Sequence, residues 1–341
     1  MLKSILKFLL VIFFVALAGL LSIYLYWFRS ISYASEKVIT EKGVFTLGRD
    51  LPKARTEAGG AAIGTKMYVL GGIDSFAQTL NDFYEYNSTN DEWVQLDDIP
   101  HYVNHPGVVT DGRYLYVLGG FKPLGIRLRG FMFAEWNPYD LFFRYDPEAK
   151  KWEPFPSMPA SRGGGGVCYG QGKIWYVGGI DENKEITNDL FAYDIQAGVW
   201  TEFAPMKYAR DHMRMEYHSG NLYAISGRKD DLRFNLDYLE KYNIETGEWT
   251  TLDPIPTPRG GFASVLYDKK ILTFGGENVW TCFDEIEAFD IEKEKWIQFD
   301  YLPEGRHGII GGVIGNKIHL VSGGKHPRVS ISDLHRIYSI K

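Results

Sequence analysis

Apolar and polar positions along the chain fall into two regimes. From Phe8 to Phe28 runs an apolar stretch of 21 residues, broken only by Gly19, Ser22 and two tyrosines. At 1.5 Å per helical residue it reaches about 30 Å, the thickness of a hydrocarbon core, and predicts one transmembrane helix. Tyr24, Tyr26 and Trp27 crowd its C-terminal end, where aromatic rings favour the headgroup interface. Lys3 and Lys7 precede it and Arg29 follows, so the positive-inside bias puts residues 1–7 in the cytoplasm and the bulk of the chain outside. Two cleavage sites compete with a retained anchor. Cutting after Ala16-Leu17-Ala18 would strand an apolar N-terminus, whereas cutting after Ser32-Tyr33-Ala34 would release a secreted or periplasmic protein. Beyond residue 42 the pattern changes to short apolar runs, MYVL at 67–70, LYVLG at 115–119, IWYVG at 174–178, LYAI at 222–225, ILTF at 271–274 and IHLV at 318–321. Turns such as Asp111-Gly112 or Ser219-Gly220 come before them, which is a strand pattern with no room for helices.

The short runs are periodic. Small pairs end them at Gly71-Gly72, Gly119-Gly120, Gly178-Gly179, Ser226-Gly227, Gly275-Gly276 and Ser322-Gly323, at spacings of 48, 59, 48, 49 and 47. Trp93, Trp152, Trp200, Trp249 and Trp296 each stand 26 residues before the next pair, and Phe45 fills that slot before Gly71. Seven residues before each tryptophan lies Tyr86, Tyr145, Tyr193, Tyr242 or Phe289, followed every time by Asn or Asp. Ten residues after the slot comes Arg55, Arg162, Arg210, Arg259 or Arg306, with Val103 the exception. Six units in strict register are present, and such a period marks a repeat architecture.

These glycine pairs, tryptophans and spacings resemble the kelch repeat family, whose units of about 50 residues form four-stranded blades of a β-propeller. The resemblance covers residues 43–341 and implies an all-β, six-bladed propeller; it says little about activity, since one fold hosts many functions. The chain then divides into a cytoplasmic segment 1–7, a signal anchor 8–28, a linker 29–42 and a propeller 43–341. The sixth unit ends at Lys341 without its tryptophan strand, so Val44 to Leu47 should supply it and close the ring by pairing the two chain ends. Because that strand begins on the face of the a–b and c–d turns, the tether is expected there, with the b–c and d–a loops pointing away from the bilayer. Forty-two N-terminal residues leave no space for the dimerisation or ligase-adaptor domain of substrate-receptor kelch proteins.

Composition narrows the classes further. Lys+Arg 37 against Asp+Glu 43 gives a net charge of −6, which disfavours a nucleic-acid binder. Two cysteines, Cys168 and Cys282, make neither a disulfide framework nor a cysteine-rich zinc site. With no HxH or HExxH spacing, neither a metal nor a cofactor is expected. Arginines that recur in five of the six units suit a role between neighbouring blades, and Arg162 followed by four glycines is a turn and strand start rather than a phosphate cradle.

Candidate chemistry sits on the face of the b–c and d–a loops. The second unit carries an insertion of 11 residues there, and its aromatic and basic side chains Phe121, Arg127, Arg129, Phe131, Phe133 and Trp136 are the candidate interaction loop. Residues after the small pairs, Asp74, Asp181, Arg228, Glu277, Asn278 and His326, should ring the same mouth with Glu57, His105 and His212, which lie two past the arginine slots. Such a basin suits a protein partner or a small polar or saccharide ligand. The leading expectation is a monomeric, membrane-anchored kelch interaction module, with binding rather than catalysis as its role. The alternative is an extracytoplasmic carbohydrate-active enzyme, of the kind of the kelch propellers that epimerise sialic acid; no motif lets their catalytic residues be placed here. That enzyme would need a carboxylate or imidazole of perturbed pKa facing an arginine, for example Glu57 or Glu277 near Arg228.

Overall fold

A computed structural model of the protein describes residues 2–27, 34–123, 137–328 and 330–341. Six antiparallel sheets follow one another in chain order. The first blade is Gly59–Ile63, Lys66–Leu70, Phe83–Asn87 and Glu92–Leu96, running outward from the axis, and the following blades repeat it. Each second strand is apolar on both faces because both faces are covered. Tyr68 and Leu70 pack toward blade two while Met67 and Val69 pack toward blade six. Six apolar clusters result, one in each wedge between neighbouring blades.

Three recurrent residues are explained by hydrogen bonds across those wedges. The second residue of each small pair donates its N–H to the next arginine-slot carbonyl: Gly72 to Val103, Gly120 to Arg162, Gly179 to Arg210, Gly227 to Arg259, Gly276 to Arg306 and Gly323 to Arg55. At that second position φ lies between 88 and 105°, where only glycine is comfortable. At the first position φ is 46 to 67°, a region a serine can enter, which is why Ser226 and Ser322 appear only there. The tryptophans act at the rim. Trp93, Trp152, Trp200, Trp249 and Trp296 each donate their indole N–H to a carbonyl of the preceding blade, those of Arg49, Asp97, Pro156, Ala204 and Asp253.

The recurrent arginines do join neighbouring blades. Their backbone carbonyls face the blade before, while their side chains are buried in the blade they lead into. Arg55 pairs with Asp82, Arg162 with Asp189, Arg210 with Glu240 and Arg259 with Glu287. Arg306 instead donates to the carbonyls of Ser322 and Leu334.

The ring closes as the register requires. Strand β2 (Gly43–Leu47) pairs antiparallel with His335–Ile340, and Phe45 stacks on Tyr338 with ring centres 4.2 Å apart. The linker expected over residues 29–42 is shorter than that, because β1 (Lys37–Ile39) adds a fifth strand outside β2. This hairpin corrects the expected direction of the tether. Lys37 lies opposite Thr46, Glu36 accepts from Leu47 N–H, and Ser35 accepts from the Arg336 guanidinium. The chain therefore enters at the end of β2 that leads into a d–a loop, on the face of the b–c and d–a loops rather than the opposite one.

Helix α1 (Leu2–Trp27) precedes the propeller. Its side chains are described over residues 7–22, about 24 Å of helix, and among the described residues no helix is long and apolar enough to cross a membrane. The anchor expected at 8–28 is thus not shown, although the large apolar side chains from Phe8 to Leu21 are exposed. Both cysteines are free.

Candidate functional site

Two turn positions in each blade decide what reaches the axis. The residue after each arginine slot forms an isolated antiparallel bridge with the residue after the small pair: Thr56 with Ile73, Asn104 with Phe121, Gly163 with Ile180, Asp211 with Arg228, Gly260 with Glu277 and His307 with Gly324. The next residue, at Glu57, His105, Gly164, His212, Gly261 and Gly308, has φ between 48 and 71° in all six blades. Backbone bonds then run between neighbours, from His105 N–H to Glu57, His212 to Gly164, Gly261 to His212 and Gly308 to Gly261. An iris of backbone therefore narrows the axis, and its side chains point across it.

Five of the nine residues expected on the pocket face converge there: Glu57, His105, His212, Arg228 and Glu277. The Glu57 carboxylate lies 3.2 Å from His105 Nε2 and 3.3 Å from His307 Nδ1. Glu277 lies 3.7 Å from His307 Nδ1, 3.4 Å from Arg228 Nη1, and accepts the Arg328 N–H at 2.6 Å. Asp211 stands 3.2 Å from His212 Nδ1 and 3.8 Å from Arg228 Nε. Glu57, Asp211, His212, Arg228, Glu277 and His307 are buried, and the His105 side chain is nearly so. Burial opposes ionisation of Glu57, but His105, His307 and His212 outweigh it and hold the carboxyl well below the usual range. Burial pushes His105 down to about 3, against the upward pull of Glu57. For His307 burial pulls the same way, but Glu277 and Glu57 on two sides raise it above its ordinary value, which favours its protonated form.

Glu57, Glu277 and His307 bring three potential metal-ligand atoms within 4.8 Å of one another. Their mutual contacts give one account of that closeness, since a protonated His307 between two carboxylates would supply positive charge there. A general base should be poised near the working pH. Glu57, held far below it, suits ion pairing or donor recognition better than proton transfer.

The other four expected residues stay in their loops. Asp74 accepts from the N–H groups of Phe76 and Gln78, Asp181 from Asn183 and Glu185, and Asn278 from Trp280 and Thr281. These short side chains close their own turns. His326 lies in the sixth b–c loop, its N–H on Ser330 Oγ. Within the expected interaction loop, Phe121 is a correction: it is fully buried, because it holds the same bridge position as Arg228 and Glu277 and packs on His105 at 5.5 Å. Arg127, Arg129, Phe131, Phe133 and Trp136 lie outside the described residues.

Sequence reasoning passed over Asp211, and it counted His307 among the histidines on the pocket face without including it in the nine. The signal was present one residue after the arginine slot, where a polar side chain is placed beside the axis by the bridge. It also passed over the exposed aromatics. Phe76, Tyr102, Phe234 and Trp280 are 72%, 53%, 49% and 88% exposed, all on the b–c or d–a loops.

Comparison with known proteins fits this geometry. A family model described as the KLHDC2/KLHL20/DRC7 Kelch-repeats domain matches residues 25–227, and a kelch motif matches residues 258–300. The Kelch-like protein terF of Aspergillus terreus is 29% identical over 65% of this chain and 50% of its own length. Alpha-scruin of Limulus polyphemus is 30% identical over 53% of this chain and 20% of its own. The chain thus spans half or less of the length of these relatives. A solved structure titled "Structure of YjhT" superposes with a TM-score of 0.71 at 15% identity, covering 86% of this chain and 99% of that one, a likeness of fold. The repeat register, the wedge-by-wedge hydrogen bonds and the matched family model agree: the chain belongs to the kelch-repeat family.

Proposed function

We propose that this propeller is a protein-interaction module whose contact surface is the face of the b–c and d–a loops. The carrying observation is the placement of the exposed aromatics: Phe76, Tyr102, Phe234 and Trp280 all stand on that face, around a polar, ion-paired centre. Exposed aromatic side chains around a polar patch are what a partner surface needs. Relatives named Kelch-like protein and scruin share the repeat, which supports a repeat-borne contact surface as the working part of the chain. The carbohydrate enzyme is the weaker reading, because the Glu57 carboxyl is held far from the pKa that proton transfer between sugar epimers would need.

The proposal includes a membrane anchor at residues 8–28 and a propeller outside the cytoplasm. Exposed phenylalanines and leucines from Phe8 to Leu21 support it, since such a surface is costly in water. The β1–β2 hairpin would then bring the loop face toward the membrane-side end of the tether.

A photo-crosslinking side chain placed at position 234 or 280, and at 269 on an a–b turn as control, tests the surface in the native membrane. Protein adducts from 234 and 280, absent from 269, are expected, with the 234 adduct lost in Trp280→Ala at an unchanged melting temperature. Equal adducts from 269, or adducts indifferent to Trp280→Ala, would sink the reading. Retention in the membrane pellet at alkaline pH with an intact N-terminal mass tests the anchor; release with a mass beginning after Ala34 would replace it with an exported protein.

A further inference from the structure

Below the iris the propeller axis opens into a cavity of about 390 Å³, lined by the inner strands of all six blades. This cavity lies apart from the loop face, toward the a–b turns. Most of its wall is small or apolar, including Gly59, Gly107, Val108, Val167, Val265 and Ile310. Blade four breaks that pattern. In its inner strand, Arg214–His218, Met213 and Met215 pack into the core between blades three and four, so the alternate residues Arg214 and Glu216 are left to line the cavity.

Arg214 differs from every other arginine near the axis. Arg55, Arg162, Arg210 and Arg259 each lie against a carboxylate within ion-pair distance, and Arg306 against two carbonyls. Among the described residues Arg214 has no ion pair and no side-chain hydrogen bond. Burial works against its charged form, and only the more distant Glu57 and Glu216 offset that. Neither acid is at its disposal. Glu57 is committed to His105 and His307. Glu216 is held by Ser264 Oγ of blade five at 2.5 Å, and burial pushes its carboxyl up to about 7, where much of it keeps its proton. Arg214 is half-buried, its guanidinium open to the cavity, and a guanidinium so placed without a counter-charge is a ready anchor for an anion.

We propose that the axial cavity is a binding site for a small monocarboxylate with a short apolar body, anchored by Arg214. A carboxylate matches the planar fork of the guanidinium with two parallel N–H···O bonds. Glu216, in its protonated form, donates to the same ligand or to its neighbouring oxygen, with Ser264 orienting it. Valine and isoleucine side chains around the wall receive an alkyl chain of a few carbons. The volume is at the small end for ligand pockets, which favours a compact acid over a sugar or a nucleotide. A divalent phosphate would meet the Glu216 carboxyl with more charge than Arg214 can balance, and a cation would meet Arg214 itself.

Calorimetric titration of the full chain, in detergent or a lipid disc, with acetate, butyrate and pyruvate tests this, with butyramide, inorganic phosphate and butylammonium as controls. At least one carboxylate should bind, its amide should not, and Arg214→Gln should weaken binding about tenfold or more. The ligand-free melting temperature of Arg214→Gln should equal or exceed that of the wild type, because the substitution removes an uncompensated charge. Absence of carboxylate binding by the folded protein, equal binding by Arg214→Gln, or binding of phosphate in place of carboxylates would overturn the proposal. So would a lower melting temperature of ligand-free Arg214→Gln, which would make Arg214 a structural residue.

Discussion

Acid should open this propeller at its closing seam before it disturbs the other five wedges. His319 and His335 lie side by side in the sixth blade, His319 Nδ1 2.9 Å from His335 Nε2, and His335 Nδ1 faces the Arg49 carbonyl at 3.2 Å. Both are buried, and His335 packs edge-on against Tyr86 of blade one at 4.6 Å. The carbonyl fixes the proton of His335 on Nδ1, so its Nε2 must accept and His319 must donate. A further proton on His335 would set two N–H groups against each other. Burial accordingly pushes His319 down to about 4 and His335, with His319 beside it, down to about 3. Folded-state values below the unfolded value of about 6.5 mean that the pair's contribution is complete above pH 6.5. It is lost as pH falls toward the folded values. At pH 5 each ring is 1.5 units below its unfolded pKa, so keeping it neutral costs about 2 kcal/mol, or about 4 for the pair. That is a large part of the 5–15 kcal/mol a domain has in total. The assay is urea unfolding at pH 7.5, 6.5, 5.5 and 5, wild type against His319→Gln/His335→Gln. His105, also lowered, and His307, raised, titrate in both proteins and cancel in the difference. The wild type should lose about 4 kcal/mol more than the double variant between pH 7.5 and 5. Parallel pH profiles would refute the argument, whatever the two stabilities at neutral pH.

Two further substitutions test the wedge account. Trp249→Phe removes the indole donor to Ala204, a bond of 2.7 Å, and keeps the ring against Tyr242. The expected cost is about 1 kcal/mol, read as a fall in the melting temperature, and the phenylalanine at 45 is the native precedent; a loss of 3 kcal/mol or more would mean that ring shape, not the hydrogen bond, sets the slot. Arg259→Met strands the buried Glu287 carboxylate, 2.7 Å from the lost guanidinium, and should cost about 3–5 kcal/mol in urea unfolding, with most of it recovered in Arg259→Met/Glu287→Leu. A double variant as unstable as the single one would move the arginine's weight to its backbone-carbonyl contacts with Gly275 and Glu285.

How much could be read from the sequence follows from what each position must satisfy. Blade number, register and closure were legible because they rest on backbone constraints that few residues meet. A φ near 90° admits glycine, a carbonyl one blade away calls for an indole N–H, and a missing outer strand must come from the other chain end. The site was legible only in part. Asp74, Asp181 and Asn278 are polar loop residues like Arg228 and Glu277, and composition gives no reason to separate them. The difference lies in the bridge: Arg228 and Glu277 directly follow a small pair and are pinned beside the axis, whereas Asp74 and Asn278 lie one residue further and curl back on their own turn. The same bridge position explains Phe121, which looked like the start of an interaction loop and is instead a plug beside His105. Asp211, on the other half of the bridge, would have been found, and His307 singled out from the other histidines, by asking which residues the arginine slot forces inward.

The tether shows a different limit. Residues 37–39 carry no motif, and Lys37, Val38 and Ile39 read equally well as linker. Their pairing depends on an unsatisfied edge on β2, which exists only once β2 has crossed to the sixth blade. An edge left open there would invite another chain, and three residues folding back cover it. That reversal, invisible without the closed ring, turns the N-terminal segment from the a–b side to the loop side. If the apolar segment is an anchor, it brings the aromatic face of Phe76, Tyr102, Phe234 and Trp280 to the membrane-facing rim rather than to the distal pole. A partner that itself stands at the bilayer then meets this face with the least reorientation, and one that approaches from bulk solvent meets the a–b turns and the mouth of the axial cavity first.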